Sequence, residues 1–395
     1  MEGYNMKHRV YKTEVILLAI CSQLALSGIP VFAASPEFAR SAEEWEMLRD
    51  NRLEWGEIDA LVNEYNATVL TNRHNFSKDE RKLMDAQDIQ GYLNDQASDY
   101  EDMAADAEST NAVLAAQLRA QANSAREQAD ENVTDSEVLR LGYEQIEAGI
   151  ALNVKTMMVD YYEMLDKKSL LNSNVEFLEK QYKSAENKFN LGLATRVDVL
   201  NAKEAYDNAR AKLVTMDAAI EQSYKNLIVL CGWKYDSQAE VAELPKPDAE
   251  SPLSINYEED LAKALEANYT LKMDKIKLEN ARSTYVSPSV IEKNEKQLRD
   301  DTDNVKLQIK SSYDALISSV QAYKNAVSAA EIQNGEMQKA ENQLSLGMIS
   351  QMEYYKAQQD KLTKDAALKT AERNLLKSEA KYDSVLKGVT QAGTN

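Results

Sequence analysis

Chain breakers are scarce in this sequence. Only 12 Gly and 6 Pro occur among 395 residues, and these are the residues that punctuate turns and loops. Few interruptions mean long elements, and the plentiful Ala, Leu, Glu, Lys and Gln make those elements helices. Aromatic bulk is short too. The 5 Phe and 3 Trp argue against a thick globular core, whereas 20 Tyr suit half-buried helix seams, where the ring packs and the hydroxyl stays wet. Length alone would allow two or three domains; long helices side by side fit this composition better.

Histidine and cysteine are nearly absent, with 2 of each. His8 and Cys21 lie in the N-terminal leader described below, which leaves His74, among polar residues, and Cys231. One of each builds no Ser-His-Asp or Cys-His arrangement, no His/Cys metal cluster and no intramolecular disulfide. The glycines are isolated, so no phosphate-cradling loop is seen. Carboxylates abound, yet an acid–base pair needs a rigid cleft, and nothing in the pattern predicts one. No catalytic, cofactor-binding or metal-ligating residue is expected, and no cofactor; the chain reads as a non-enzyme. Cationic residues are in deficit, 46 Lys and Arg against 65 Asp and Glu, for a formal charge of -19. Nucleic acid demands a basic footprint, so it is not expected as a partner. Either the solubility of an exported helical protein or an acidic channel lining that favours cations would account for the deficit.

What is there begins with an export signal. Lys7, His8, Arg9 and Lys12 form a basic start, Val15 to Leu26 is largely apolar, and Val31-Phe32-Ala33 puts acceptably small residues before a cleavage point. Cleavage after Ala33 is expected, with translation starting at Met1 or Met6. A retained anchor needs about 18 uncharged apolar residues, and Ser22, Gln23 and Pro30 interrupt this run.

The rest of the chain repeats itself. Ala185 to Gly192 (AENKFNLG) recurs as Ala340 to Gly347 (AENQLSLG), shifted by 155 residues. The offset holds downstream: Thr195 pairs with Ser350, Asp198 with Glu353, Ala202 with Ala357, and Leu213, Ile220 and Leu227 with Leu368, Leu375 and Tyr382. Gly232 and Gly388 close the two units, one residue out of step. At the start of each, Leu61 to Asn66 more weakly resembles Leu265 to Asn268. A fixed offset over so many positions marks a duplicated unit. The expected organisation is a signal peptide at 1–33, a first helical-hairpin repeat at 38–234, a linker at 235–255 holding at most one short strand, a second repeat at 256–388 and a tail at 389–395.

Each unit reads as helix, tight turn, helix. Gly192 and Gly347 tolerate the left-handed conformation that ends a helix. Three residues on, Thr195 and Ser350 suit the N-cap role, and Asp198 and Glu353 fall at the capping-box position. Ile309, Tyr313, Leu316, Val320, Tyr323 and Val327 step by fours and threes, the heptad spacing that keeps one seam toward a neighbour and imposes a left-handed supercoil. A helix from Ile291 to Leu346 would run about 55 residues, roughly 80 Å. Hairpins that long need lateral neighbours, from the other repeat or from other subunits.

Together these features resemble the TolC-type outer-membrane efflux protein family. The resemblance spans roughly residues 53–388. It is carried by the paired Leu-Gly-x-x-Thr/Ser-x-x-Asp/Glu turns, by the stretch from Ser311-Ser312-Tyr313 to Ala322–Ala329, and by Leu230-Cys231-Gly232. It implies an all-α chain whose two hairpin units assemble, as a homotrimer, into a coiled-coil helical barrel. Its partners would be a membrane fusion (adaptor) protein and an inner-membrane pump, ABC-type or proton-driven. By the same resemblance Gly192, Leu193, Thr195, Gly347, Met348 and Ser350 would face the adaptor, and Asp198 and Glu353 would line the pore constriction, unless capping is their whole role. The family often carries a further acid three residues after the second; here Lys356 stands there, so a double acidic ring is not expected.

The family also inserts a membrane-spanning β-hairpin in each unit, and a barrel strand needs about 9 to 11 alternating residues. In the second unit Ser283 to Val290 is too short for two strands. The first unit is longer by about 47 residues between matching points, but its extra material, around Asp95 to Gln128, reads as Ala-rich helix. A barrel-less variant is expected, in the cell envelope yet unable to enter an outer membrane unaided. An exported structural or interaction bundle that kept the scaffold without the channel is the alternative reading.

Overall fold

The structure, a computed structural model, describes residues 40–79, 85–284 and 286–390. The expected export signal, with its cleavage point at Ala33, and residues 391–395 of the expected tail lie outside the described residues.

The first unit begins with helix α1 (Ala42–Arg49), entered through a capping box of Ser41 and Glu44. Strand β1 (Arg52–Leu53), α2 (Ile58–Tyr65) and α3 (Ala67–Asp79) follow. Next come α4 (Ala86–Ala107), α5 (Ala112–Glu131), the 55-residue α6 (Ser136–Asn190) and α7 (Arg196–Leu230). Strand β2 (Glu240–Val241) lies in the connection between units and pairs in parallel with β1, Arg52 opposite Glu240. The second unit is α8 (Tyr257–Ala267), α9 (Tyr269–Ser283), the 58-residue α10 (Pro288–Ser345) and α11 (Gln351–Leu386). Among the described residues the only strands are β1 and β2, two residues each. No helix among them is long and apolar enough to cross a membrane.

The heptad stripe is the seam of the second hairpin. Ile309, Leu316 and Val320 of α10 are buried, as are Leu375 and Tyr382 of α11, and Tyr313 and Tyr323 pack half-buried beside them. Burial is incomplete along the returning helices. Leu227 is fully buried, but Leu213, Ile220 and Leu368 are only half-covered. There is no thick globular core among the described residues, but a small one closes the remote end of the first hairpin. Trp45, Leu48, Leu53, Ile58, Leu61, Val62 and Val69 close over Ala151, Val154 and Met158 of α6 and over Leu227 and Cys231. All three tryptophans sit in or against it, Trp45 within and Trp55 and Trp233 packed on it, so the small tryptophan allotment is concentrated instead of spread.

The extra material of the first unit is the helical hairpin α4–α5. Its seam is alanine: Ala97 and Ala104 of α4 and Ala115, Ala122 and Ala129 of α5 are buried at heptad spacing, which lets the two backbones approach closely. Arg126 bridges to Glu101 across it at 2.5 Å, and Arg119 to Glu108.

The two units meet along α6 and α11. Lys377 reaches Asp160 at 2.5 Å and Glu163 at 3.0 Å; Lys369 and Arg373 both reach Asp166, at 2.7 and 3.3 Å. Burial alone would lower the Lys377 ammonium, and hydrogen bonds to Asp160 and Glu163 more than offset it, raising it on balance. Toward the glycine turns the same seam continues with Gln359 donating to the Ser173 carbonyl at 3.2 Å and Lys180 over the Tyr355 ring at 4.1 Å.

Candidate functional site

The two glycine turns are superimposable in their hydrogen bonding. At the end of α6 the Gly192 N–H donates to the Phe189 carbonyl at 2.9 Å and the Leu193 N–H to Lys188 at 2.8 Å. At the end of α10 the Gly347 N–H donates to Leu344 at 2.9 Å and the Met348 N–H to Gln343 at 2.8 Å. Both are Schellman closures, which require a left-handed residue; Gly192 and Gly347 supply φ of 74° and 68°. Neither glycine is crowded, since a Cβ at either would meet nothing within 4 Å.

The following helices start alike. The Thr195 hydroxyl accepts from the Asp198 N–H at 3.2 Å, and Asp198 Oδ2 accepts from the Thr195 N–H at 2.8 Å. Ser350 and Glu353 repeat this at 3.2 and 2.7 Å. Those bonds hold both carboxyls below the usual carboxylate range, the backbone N–H of the cap residue acting first and its hydroxyl second. Asp198 and Glu353 are exposed and ionised at neutral pH. Their capping role is plain in the geometry. Lys356 is exposed one turn after Glu353.

Each turn carries an apolar tip. Leu191 and Leu193 are 74% and 75% exposed, and Leu346 and Met348 are 73% and 68% exposed. The first tip continues into Val197 and Leu200 on α7, both exposed. Exposed apolar surface is thus concentrated on two matching tips. Gly192, Leu193, Thr195, Gly347, Met348 and Ser350 thus fall on two like tips, one per unit, with Asp198 and Glu353 a turn inside them.

The remaining candidates are quiet. His74 is exposed on α3. Cys231 is buried in the first-unit core, and burial, with a smaller push from Glu57, raises its thiol to about 12. No group of three or more His, Cys, Asp or Glu that could hold a metal ion occurs among the described residues. A polar cleft near the remote end is lined by Asp59, Lys155, Asp383 and Lys387, whose charges pair as Lys155–Asp59 at 2.7 Å and Lys387–Asp383 at 2.8 Å.

No family model matches the chain, and no curated protein matches it. Solved structures do. A membrane protein from Pseudomonas aeruginosa aligns with a TM-score of 0.52 at 10% identity, over 84% of this chain and 93% of that one. The outer-membrane channel OprN aligns with a TM-score of 0.50 at 12% identity, over 87% and 92%. At such identity the likeness is one of fold: the paired long hairpins are the helical fold of the TolC-type outer-membrane channels.

Proposed function

We propose that this chain, folded as the TolC-type channels are, is the subunit of a homotrimeric efflux conduit that docks on an adaptor protein of a tripartite pump. The observation that carries this reading is the pair of like apolar tips, Leu191/Leu193 and Leu346/Met348, on hairpins whose seams stay half-covered. A single hairpin pair leaves Leu213, Ile220 and Leu368 partly wet, and exposes Val214, Leu307 and Ile332 outright. Lateral neighbours would cover such surface, and closing a ring of identical copies leaves no face unpaired. The tips would then form one rim, which suits apolar contact with hairpin tips of an adaptor. Asp198 and Glu353, kept ionised by their caps, would ring the entrance and favour cations.

Anchoring in the envelope through a partner fits the helical α4–α5 hairpin and the short Ser283–Pro288 bridge. The size of the purified mature chain tests the assembly. A mass of three copies supports the conduit, and a stable monomer at micromolar concentration leaves the structural-bundle reading in its place.

A further inference from the structure

Asp274 occupies a seam position where α9 packs on α10. It lies one turn after Leu271 and one turn before Leu278; all three are buried, Asp274 at 6% exposure. Its Oδ2 has no hydrogen-bond partner. Across the seam Asp301 stands between Leu298 and Val305 of α10, within hydrogen-bonding reach of the Asp274 carboxyl. Asp301 Oδ2 also accepts from the Gln297 amide at 2.7 Å. The other charged group acting on Asp274 is Lys277, on α9 itself. Neither α6 nor α8, which also pack on α9, contributes a charge that acts on it.

Two ionised carboxylates offer only acceptors to one another and repel. An ionised oxygen without a donor is also costly in an apolar seam. A single proton resolves both problems, since it turns one carboxyl into the donor the other lacks.

We propose that Asp274 and Asp301 share one proton and so form a latch between α9 and α10, at the end of the second unit remote from Gly347, that closes with the proton held and loosens when it leaves. Burial first, and the Asp301 contact second, push the Asp274 carboxyl up to about 7, which sets release near neutral pH. The sign is opposite to that of an ordinary ion pair. The folded chain holds the proton to a higher pH than the unfolded chain does, so the stabilisation is fully present below the ordinary aspartate range and is lost as pH rises through about 7.

The latch is a property of one chain, so its test leaves the conduit reading untouched. Among the described residues one other carboxyl is held near 7, that of the half-buried Glu379, which accepts from the Asp248 N–H at 2.9 Å; Glu379→Gln therefore serves as the background for every comparison. Infrared difference spectra of the mature chain between pH 5 and pH 9 should contain a protonated-carboxyl band that titrates near neutrality and vanishes in Asp274→Asn. The melting temperature should fall as pH rises across the same range, and Asp274→Asn, whose amide donates to Asp301 at any pH, should flatten that slope. Asp301→Asn gives the same two readouts if the first variant folds poorly. No protonated carboxyl above pH 5 would overturn the latch. So would an unchanged slope in both variants, or a calcium-dependent melting temperature at pH 8 without the band, which would make the occupant a cation.

Discussion

The side-chain amide of Asn66 donates to the Leu230 carbonyl, 2.7 Å away and 164 residues further along the chain. Asn268 does the same job in the second unit, donating to the Gly388 carbonyl at 3.2 Å, 120 residues on. Each asparagine also caps the helix that starts beside it, Asn66 accepting from the Val69 N–H and Asn268 from the Leu271 N–H. Start and finish of each hairpin are thereby tied together, and the weak likeness between Leu61–Asn66 and Leu265–Asn268 is the trace of that knot.

The glycines beside the knots differ from those at the tips. A Cβ on Gly232 would fall 2.3 Å from the Tyr65 Cβ, and one on Gly388 2.2 Å from the Ala267 carbonyl oxygen. Both also hold a left-handed φ, 95° and 93°. Gly232→Ala and Gly388→Ala should each cost more than about 3 kcal/mol, strain and clash combined. Gly192→Ala and Gly347→Ala carry only the left-handed penalty of about 1–2 kcal/mol. Chemical denaturation of the four variants checks the order.

The caps of the returning helices should act independently. Thr195→Ala or Ser350→Ala should each cost about 1 kcal/mol, and the double variant about the sum, because the sites share no partner. Asp198 and Glu353 have lowered folded-state values, so their capping contribution is present above the ordinary carboxylate range and is lost as pH falls through the lowered values. Local amide exchange at residues 196–199 and 351–354 should rise below that range relative to the mid-helix.

The charged ladder between α6 and α11 fixes the register of one unit on the other. Asp166 serves two cations and is mostly covered, with 16% of its side chain exposed. Asp166→Ala strands Arg373 at 14% exposure and should cost about 1–3 kcal/mol, between the exposed and buried limits for ion pairs. Lys183–Glu179, on an exposed face, should cost no measurable stability when broken. Double-mutant cycles on the two pairs compare them.

If the tips dock an adaptor, Leu193→Asp with Met348→Asp should abolish binding to that adaptor while leaving melting temperature and subunit number unchanged. Both side chains are solvated in the free chain, so no fold energy depends on them. Retained adaptor binding at wild-type strength would remove the tips from the docking surface.

Much of this was legible in the sequence. Gly192 and Gly347, with Thr195, Ser350, Asp198 and Glu353 at fixed spacing, dictate local hydrogen bonds, and local geometry reads directly from residue type. Ile309, Leu316 and Val320 announced their seam by period alone. The small core around Trp45 and Leu53 was hidden because short elements carry no long period; α4–α5 was legible as helix, but its seam was not, because alanine marks a helix without saying which face is buried. The Asp160, Glu163 and Asp166 series had its signal in three-residue spacing, matched by Lys369, Arg373 and Lys377 at four, but pairing helices 200 residues apart takes tertiary knowledge. Asp274 was the hardest to see, since an acidic residue among many looks solvated until its neighbours Leu271 and Leu278 are known to be buried.

The most direct test of the account is an image of the purified mature chain by single-particle electron microscopy. The account predicts a particle of three copies whose long helices enclose a central lumen, with the Gly192 and Gly347 turns at one rim. A solid bundle of helices, or a lone chain with the seams of α7 and α10 facing solvent, would contradict it.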